Sequence, residues 1–172
     1  MMKPEILIWL FPIVFMIHEF EEIIFMRWWV KKNKEHILKK YPKLGKQVLG
    51  QFDVVSTEAF SLIVAEEFLI VSFIVVFSAF TNNYDLYVGL ILAFSIHLLT
   101  HLIQFIALRS YTPAIITTLL TGIFCAYAFV NMRNNELLRF NRTLIFTIVL
   151  TVVVFLNLKI MYSLVKKIKI LK

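Results

Sequence analysis

The sequence predicts an all-α fold of the polytopic membrane class, a bundle of five transmembrane helices making one integral membrane domain over residues 1–172. Three observations point there. Apolar residues make up 60% of the chain, whereas soluble domains carry roughly half. They are gathered in continuous runs, and since only helices and closed barrels satisfy the backbone in lipid, unbroken runs read as helices. Only four Gly and four Pro are present, too few for a loop-rich architecture.

The first run, about residues 5–30, follows Lys3 and passes through MIHEFEEIIF. Its opening has the charge and apolarity of a signal peptide, but no small-residue cleavage site follows and a charged cluster does, so it reads as a retained span. The others cover about residues 55–80, 86–108, 113–130 and 143–163. Each is long enough for a hydrocarbon core of roughly 30 Å at about 1.5 Å per residue. Residues 31–54 form the long connection, a basic cytoplasmic loop that serves as the topology signal. A second reading lets Ile37, Leu38, Tyr41 and Leu44 face the headgroup layer while the lysines bind anionic lipid headgroups.

The net charge of +7 would suggest nucleic acid in a soluble protein. Here the cations lie between and after the apolar runs, so topology explains them and no nucleic-acid partner is expected. With five spans, fourteen of the eighteen Lys and Arg fall on one side. The positive-inside rule then puts the C-terminus in the cytoplasm and the N-terminus outside. Trp28, Trp29, Tyr111 and Tyr162 fall at the inner boundary and Tyr84 and Tyr87 at the outer one, as interface aromatics do. Cys125 is alone, which excludes an intrachain disulfide.

Against this apolar background the ionisable residues stand out. Three of four histidines (His18, His97, His101) and six of eleven acids (Glu19, Glu21, Glu22, Glu58, Glu66, Glu67) lie in spans. Each costs about 2.5–3.5 kcal/mol at a bilayer centre on insertion scales, so the set is expected to face itself and not lipid. Depth agrees: at about 1.5 Å per residue, His18 lies roughly 20 Å from the outer end of span one, and His97 and His101 roughly 17 and 23 Å from that of span three. Glu66 falls near the midplane of span two. His18 and Glu22 are four apart, with Glu21 beside them, and His97 and His101 are four apart, so each pair shares a helix face.

Two imidazoles at that spacing suit one metal, and HEFEE reads as HExxE with a carboxylate in place of the second histidine. The expected ligands are His18, Glu22, Glu66, His97 and His101, with Glu66 preferred to Glu67 because it shares a broad face with Glu58. Glu19 or Glu21 would be the catalytic acid–base group. An N/O ligand set suits a divalent metal such as Zn, Fe or Mn. The competing reading is a metal-free polar network that fixes helix packing. Among smaller signals, Arg109 in RSYTP is a weak candidate for a substrate phosphate, against the simpler role of membrane anchor. Thr117, Thr118, Thr121 and Gly122 suggest a close helix contact, and Asn157 an interhelical hydrogen bond.

His18-Glu19-Phe20-Glu21-Glu22 matches H-x-x-E-E, and with His97, His101, Arg109 and Tyr111-Thr112-Pro113 the chain resembles the HXXEE-motif family of small bacterial integral membrane proteins over about residues 5–130. That family has no established activity. The resemblance implies a bacterial cytoplasmic membrane and supports His18, Glu21 and Glu22 as functional positions. A Gly usually follows the turn proline; here Ala114 does. Glu21-Glu22 followed by Arg27 is similar to the paired glutamates of CAAX-type intramembrane proteases, one residue longer, an analogy of chemistry only.

The expected function is a membrane-embedded, metal-dependent hydrolase acting on a lipid-like substrate from the inner leaflet. A di-iron oxidative lipid enzyme is the close variant. A proton or metal-ion transporter would use the same His/Glu cluster, but spans one and three are apolar above His18 and His97. A non-catalytic assembly role is the remaining alternative.

Overall fold

The computed structural model describes residues 2–43, 45, 46, 49 and 55–167, the side chain of Lys166 excepted. Among them are five long α-helices: α1 Pro4–Lys40, α2 Thr57–Thr81, α3 Tyr84–Leu108, α4 Ile115–Asn134 and α5 Phe140–Lys167. Four, α2 to α5, are long and apolar enough to cross a membrane. α1 is not among them, because Glu19, Glu21 and Glu22 interrupt its apolar run.

Local chemistry sets the ends. Pro4 opens α1, where its missing N–H costs nothing. Ser56 caps α2 by accepting from the Ala59 N–H at 3.1 Å, and Asn83 caps α3 by accepting from the Leu86 N–H at 3.2 Å. Between them Asn82 closes α2 at φ 51°, a left-handed conformation that asparagine tolerates.

The first helix differs from the expected span. It runs ten residues past residue 30 to Lys40, because hydropathy ends there while helix propensity does not: KKNKEHILKK contains neither Gly nor Pro. Residues 31–40 are therefore helix, not loop. Two of the apolar residues in this segment, Ile37 and Leu38, pack within the protein. Ile37 packs with Met26, Trp29, Val30 and Leu49, and Leu38 packs against that cluster. The Tyr41 hydroxyl and the Lys40 ammonium donate to the Ala107 carbonyl at 3.1 and 2.8 Å, satisfying an acceptor in the last turn of α3. Leu44 lies outside the described residues.

α1 packs on α2 and α4, and α3 packs on α5, α4 and α2. The gap between α1 and α3 is filled by side chains. On the side nearer the start of α1, Phe11 and Phe15 meet Tyr87 and Phe94 edge-on or tilted, with centroids 5.5–6.1 Å apart. The buried Tyr87 hydroxyl donates to the Leu7 carbonyl at 2.9 Å. α3 meets α5 closely at Gly89, where an added Cβ would stand 2.6 Å from the Phe146 Cβ. The outer surface is apolar, with Leu69, Phe73, Phe80, Ile103, Ile123 and Phe155 all exposed. Soluble monomers rarely leave such a surface to water, whereas lipid covers it without cost.

Candidate metal centre

Four consecutive-turn residues of α1 point inward: His18 is fully buried, and Glu19, Glu21 and Glu22 are at most 7% exposed. Ile17, Phe20 and Ile24, on the opposite face, are exposed. The helix period decides this, since turning the apolar residues in would turn the acids to the outer surface.

His18 meets His97 and His101 of α3 across the gap. Centroids are 5.4 Å apart for His18–His97, 5.0 Å for His18–His101 and 4.6 Å for His97–His101, with the planes steeply inclined. One nitrogen from each ring lies within 4.8 Å of the other two. The His97 and His101 Nε2 atoms are 3.0 Å apart, and Glu22 Oε1 is 3.4 Å from the latter. His18 Nδ1 is 3.2 Å from the Thr117 hydroxyl, while its Nε2 is buried with no hydrogen-bond partner among the described residues. A buried imidazole nitrogen without a partner is costly in a metal-free network and is what a ligand requires.

A cavity of about 420 Å³ adjoins the cluster. Its polar wall includes Glu19, Glu22, Glu67, His97, His101 and Asn157; the remainder is mostly apolar, from Phe11 and Phe15 to Trp29 and Leu49. Tyr162 of α5 also lines it.

Several expected residues sit elsewhere. Glu66 does not line the cavity: its Oε2 accepts from the Asn157 amide at 2.8 Å, and its neighbour Glu67 faces inward with a buried, unpartnered Oε1. The preference for Glu66 was based on a face shared with Glu58, but Glu58 is exposed in the first turn of α2 and defines no inner face. Glu21 is likewise not part of the cavity wall. Its Oε1 accepts from the Tyr111 hydroxyl at 2.8 Å, and its Oε2 from the Thr117 N–H at 2.8 Å and the Thr117 hydroxyl at 2.7 Å. It caps the start of α4 from another helix, with three of its roughly four acceptor sites engaged there. Burial, and then the bond to Glu21, hold the Tyr111 phenol above its usual range, so it stays a donor. Arg109 is exposed as the left-handed cap of α3 and does not line the cavity. Thr117 is the contact that spacing could not announce, 99 residues from His18. In the small-residue stripe around it, Gly122 faces open space.

The class defined by these features is a helical bundle with four helices long and apolar enough to cross a membrane and a three-histidine cluster beside carboxylates that could hold a metal ion. The chain belongs to the HXXEE family, described as protein of unknown function with HXXEE motif, whose model matches residues 9–129. That stretch contains the three histidines, Glu67, Tyr111 and Thr117 and ends before α5. No curated protein and no solved structure matches the chain.

Proposed function

We propose that this protein is an integral membrane enzyme that holds a divalent metal ion at His18, His97 and His101, with Glu22 beside them, and hydrolyses a lipid-like substrate seated in the adjoining cavity. The observation that carries the reading is that one ring nitrogen from each of the three histidines lies within 4.8 Å of the other two, beside a buried His18 Nε2 with no partner among the described residues. Hydrogen bonding alone leaves it unsatisfied; a cation satisfies all three nitrogens at once. The nitrogen and oxygen donors suit Zn, Fe or Mn. When bound, the metal supplies Lewis-acid polarisation and an activated water.

The chain's own groups do the rest. Glu22, 3.4 Å from the His101 Nε2, is placed to complete the ligand set or accept a proton. Glu19 and Glu67, which line the cavity where Glu21 does not, are the groups placed for proton handling. The apolar part of the cavity suits an acyl chain. In this reading α1 is the fifth span, its acids shielded by the bundle, in a bacterial cytoplasmic membrane. The charge asymmetry supports an outer N-terminus, a cytoplasmic C-terminus and contact of the basic segment after α1 with anionic headgroups. A transmembrane conduit fits less well, because the interdigitated Phe11, Phe15, Tyr87 and Phe94 close the bundle on one side of the histidines.

Metal analysis of the full chain purified in detergent tests the reading. About one equivalent of Zn, Fe or Mn is expected, lost in His97→Ala; below about a tenth of an equivalent in both the purified and the metal-supplemented protein overturns it. Metal-dependent release of fatty acid from synthetic lipid esters and amides in mixed micelles then tests the hydrolysis. Two equivalents of iron with oxidised acyl product would move the assignment to the oxidative variant.

A further inference from the structure

The bonds around Thr117 have a direction. A hydroxyl has one hydrogen, and in Thr117 it is donated to Glu21 Oε2 at 2.7 Å, the shorter of its contacts to acceptors. The Thr117 oxygen is then an acceptor toward His18 Nδ1, 3.2 Å away, so that nitrogen carries the imidazole hydrogen. The other nitrogen, Nε2, keeps its lone pair and has no partner among the described residues. Glu21 is held in place by two further donors, the Tyr111 hydroxyl and the Thr117 N–H.

We propose that Glu21 is a positioning residue that acts through the Thr117 hydroxyl to fix the tautomer and orientation of His18, presenting Nε2 to the space shared with His97 and His101. The proposal rests on the metal reading above for its purpose but not for its geometry. In known metal sites a carboxylate or carbonyl often receives the second ring N–H of a ligating histidine directly. Here a threonine is interposed, so one carboxylate both caps α4 and orients a histidine of its own helix three residues away. The start of α4 is thereby locked to the ligand geometry: a shift of α4 moves Thr117, and with it the His18 ring.

The test uses the full chain in detergent micelles with ¹⁵N-labelled histidine, metal-free, followed by titration with zinc alone. In the wild type the His18 signals, identified by their loss in His18→Asn, are expected to show hydrogen on Nδ1 and none on Nε2. Thr117→Val, which keeps the β-branch and removes the hydroxyl, is expected to give mixed tautomers and a zinc affinity lower by about 10–100-fold. Thr117→Ser is expected to restore both. A wild-type tautomer in Thr117→Val, or a Thr117→Ser protein as impaired as Thr117→Val, overturns the relay. If the wild type takes up no zinc, the metal reading fails and the tautomer signals alone decide the relay.

Discussion

Two buried carboxylates begin helices that are not their own, near opposite ends of α3. Asp85, in the first turn of α3, accepts from the Arg139 N–H at 2.7 Å and the Thr143 hydroxyl at 2.9 Å and so fixes the start of α5. Glu21 receives the same pair of groups from α4, a backbone N–H and a threonine hydroxyl. In a bundle of helices apolar enough to cross a membrane, such caps satisfy buried helix ends that water would otherwise serve. The two junctions part company behind the threonine. Thr143 ends at Asp85, with Arg142 standing 3.9 Å off on the half-exposed side. Thr117 continues to His18, and through it to His97 and His101. The same device is scaffold at one end and the support of a candidate site at the other, so a carboxylate's burial says less about function than what lies one bond beyond its partner.

Substitutions should separate the two. His18→Ala is expected to have the largest effect on metal, weakening zinc binding by more than the roughly 100-fold that outer partners reach, with a stability loss as well from the cavity its fully buried ring leaves. Glu21→Ala comes next: zinc affinity falls by about 10–100-fold and stability by about 1–3 kcal/mol, because the Thr117 N–H and hydroxyl lose their acceptor. Asp85→Ala should show a stability loss of the same about 1–3 kcal/mol with zinc affinity intact. Equal zinc losses in Glu21→Ala and Asp85→Ala would erase the distinction. Gly89→Ala, which drives a Cβ to 2.6 Å from Phe146 in the α3–α5 contact, belongs with Asp85→Ala. It should cost about 1–3 kcal/mol by overpacking, again without touching zinc.

The legible and illegible parts of this protein divide along the same line. Helix positions followed from runs of apolar residues, and the inward turn of His18, His97 and His101 followed from the cost of lipid exposure together with four-residue spacing. These are local or one-body arguments. What the pattern did not disclose were pairings between helices. Glu66 and Glu67 are neighbours in sequence, and only the rotation of α2 against α1 and α5 hands one to Asn157 and the other to the cavity. Glu21 and Glu19 read as equal candidates for the acid–base role because both belong to the same motif of α1, and the destination of Glu21 depends on a turn about ninety residues away. The extension of α1 to Lys40 was hidden for a different reason: hydropathy marks the span, not the helix.

The smallest effect expected is also a check on which force sets the start of α4. Ala114 is the residue before that helix, fully buried, with φ 68° and no side-chain cap of its own. A left-handed alanine costs about 1–2 kcal/mol relative to an unstrained one, and glycine has no such penalty. Ala114→Gly should therefore raise stability, by about 0.5–1 kcal/mol once the glycine's greater unfolded-state freedom is subtracted, seen as a few degrees in thermal unfolding. Its zinc affinity should not change, since Glu21 already holds Thr117. Combined with Glu21→Ala, the glycine should recover part of the lost stability and none of the lost zinc affinity, because a relaxed turn cannot supply the acceptor that orients the Thr117 hydroxyl. Recovery of zinc binding in the double variant would mean that backbone placement of α4, and not the hydrogen bond from Thr117 to Glu21, is what sets the His18 ring.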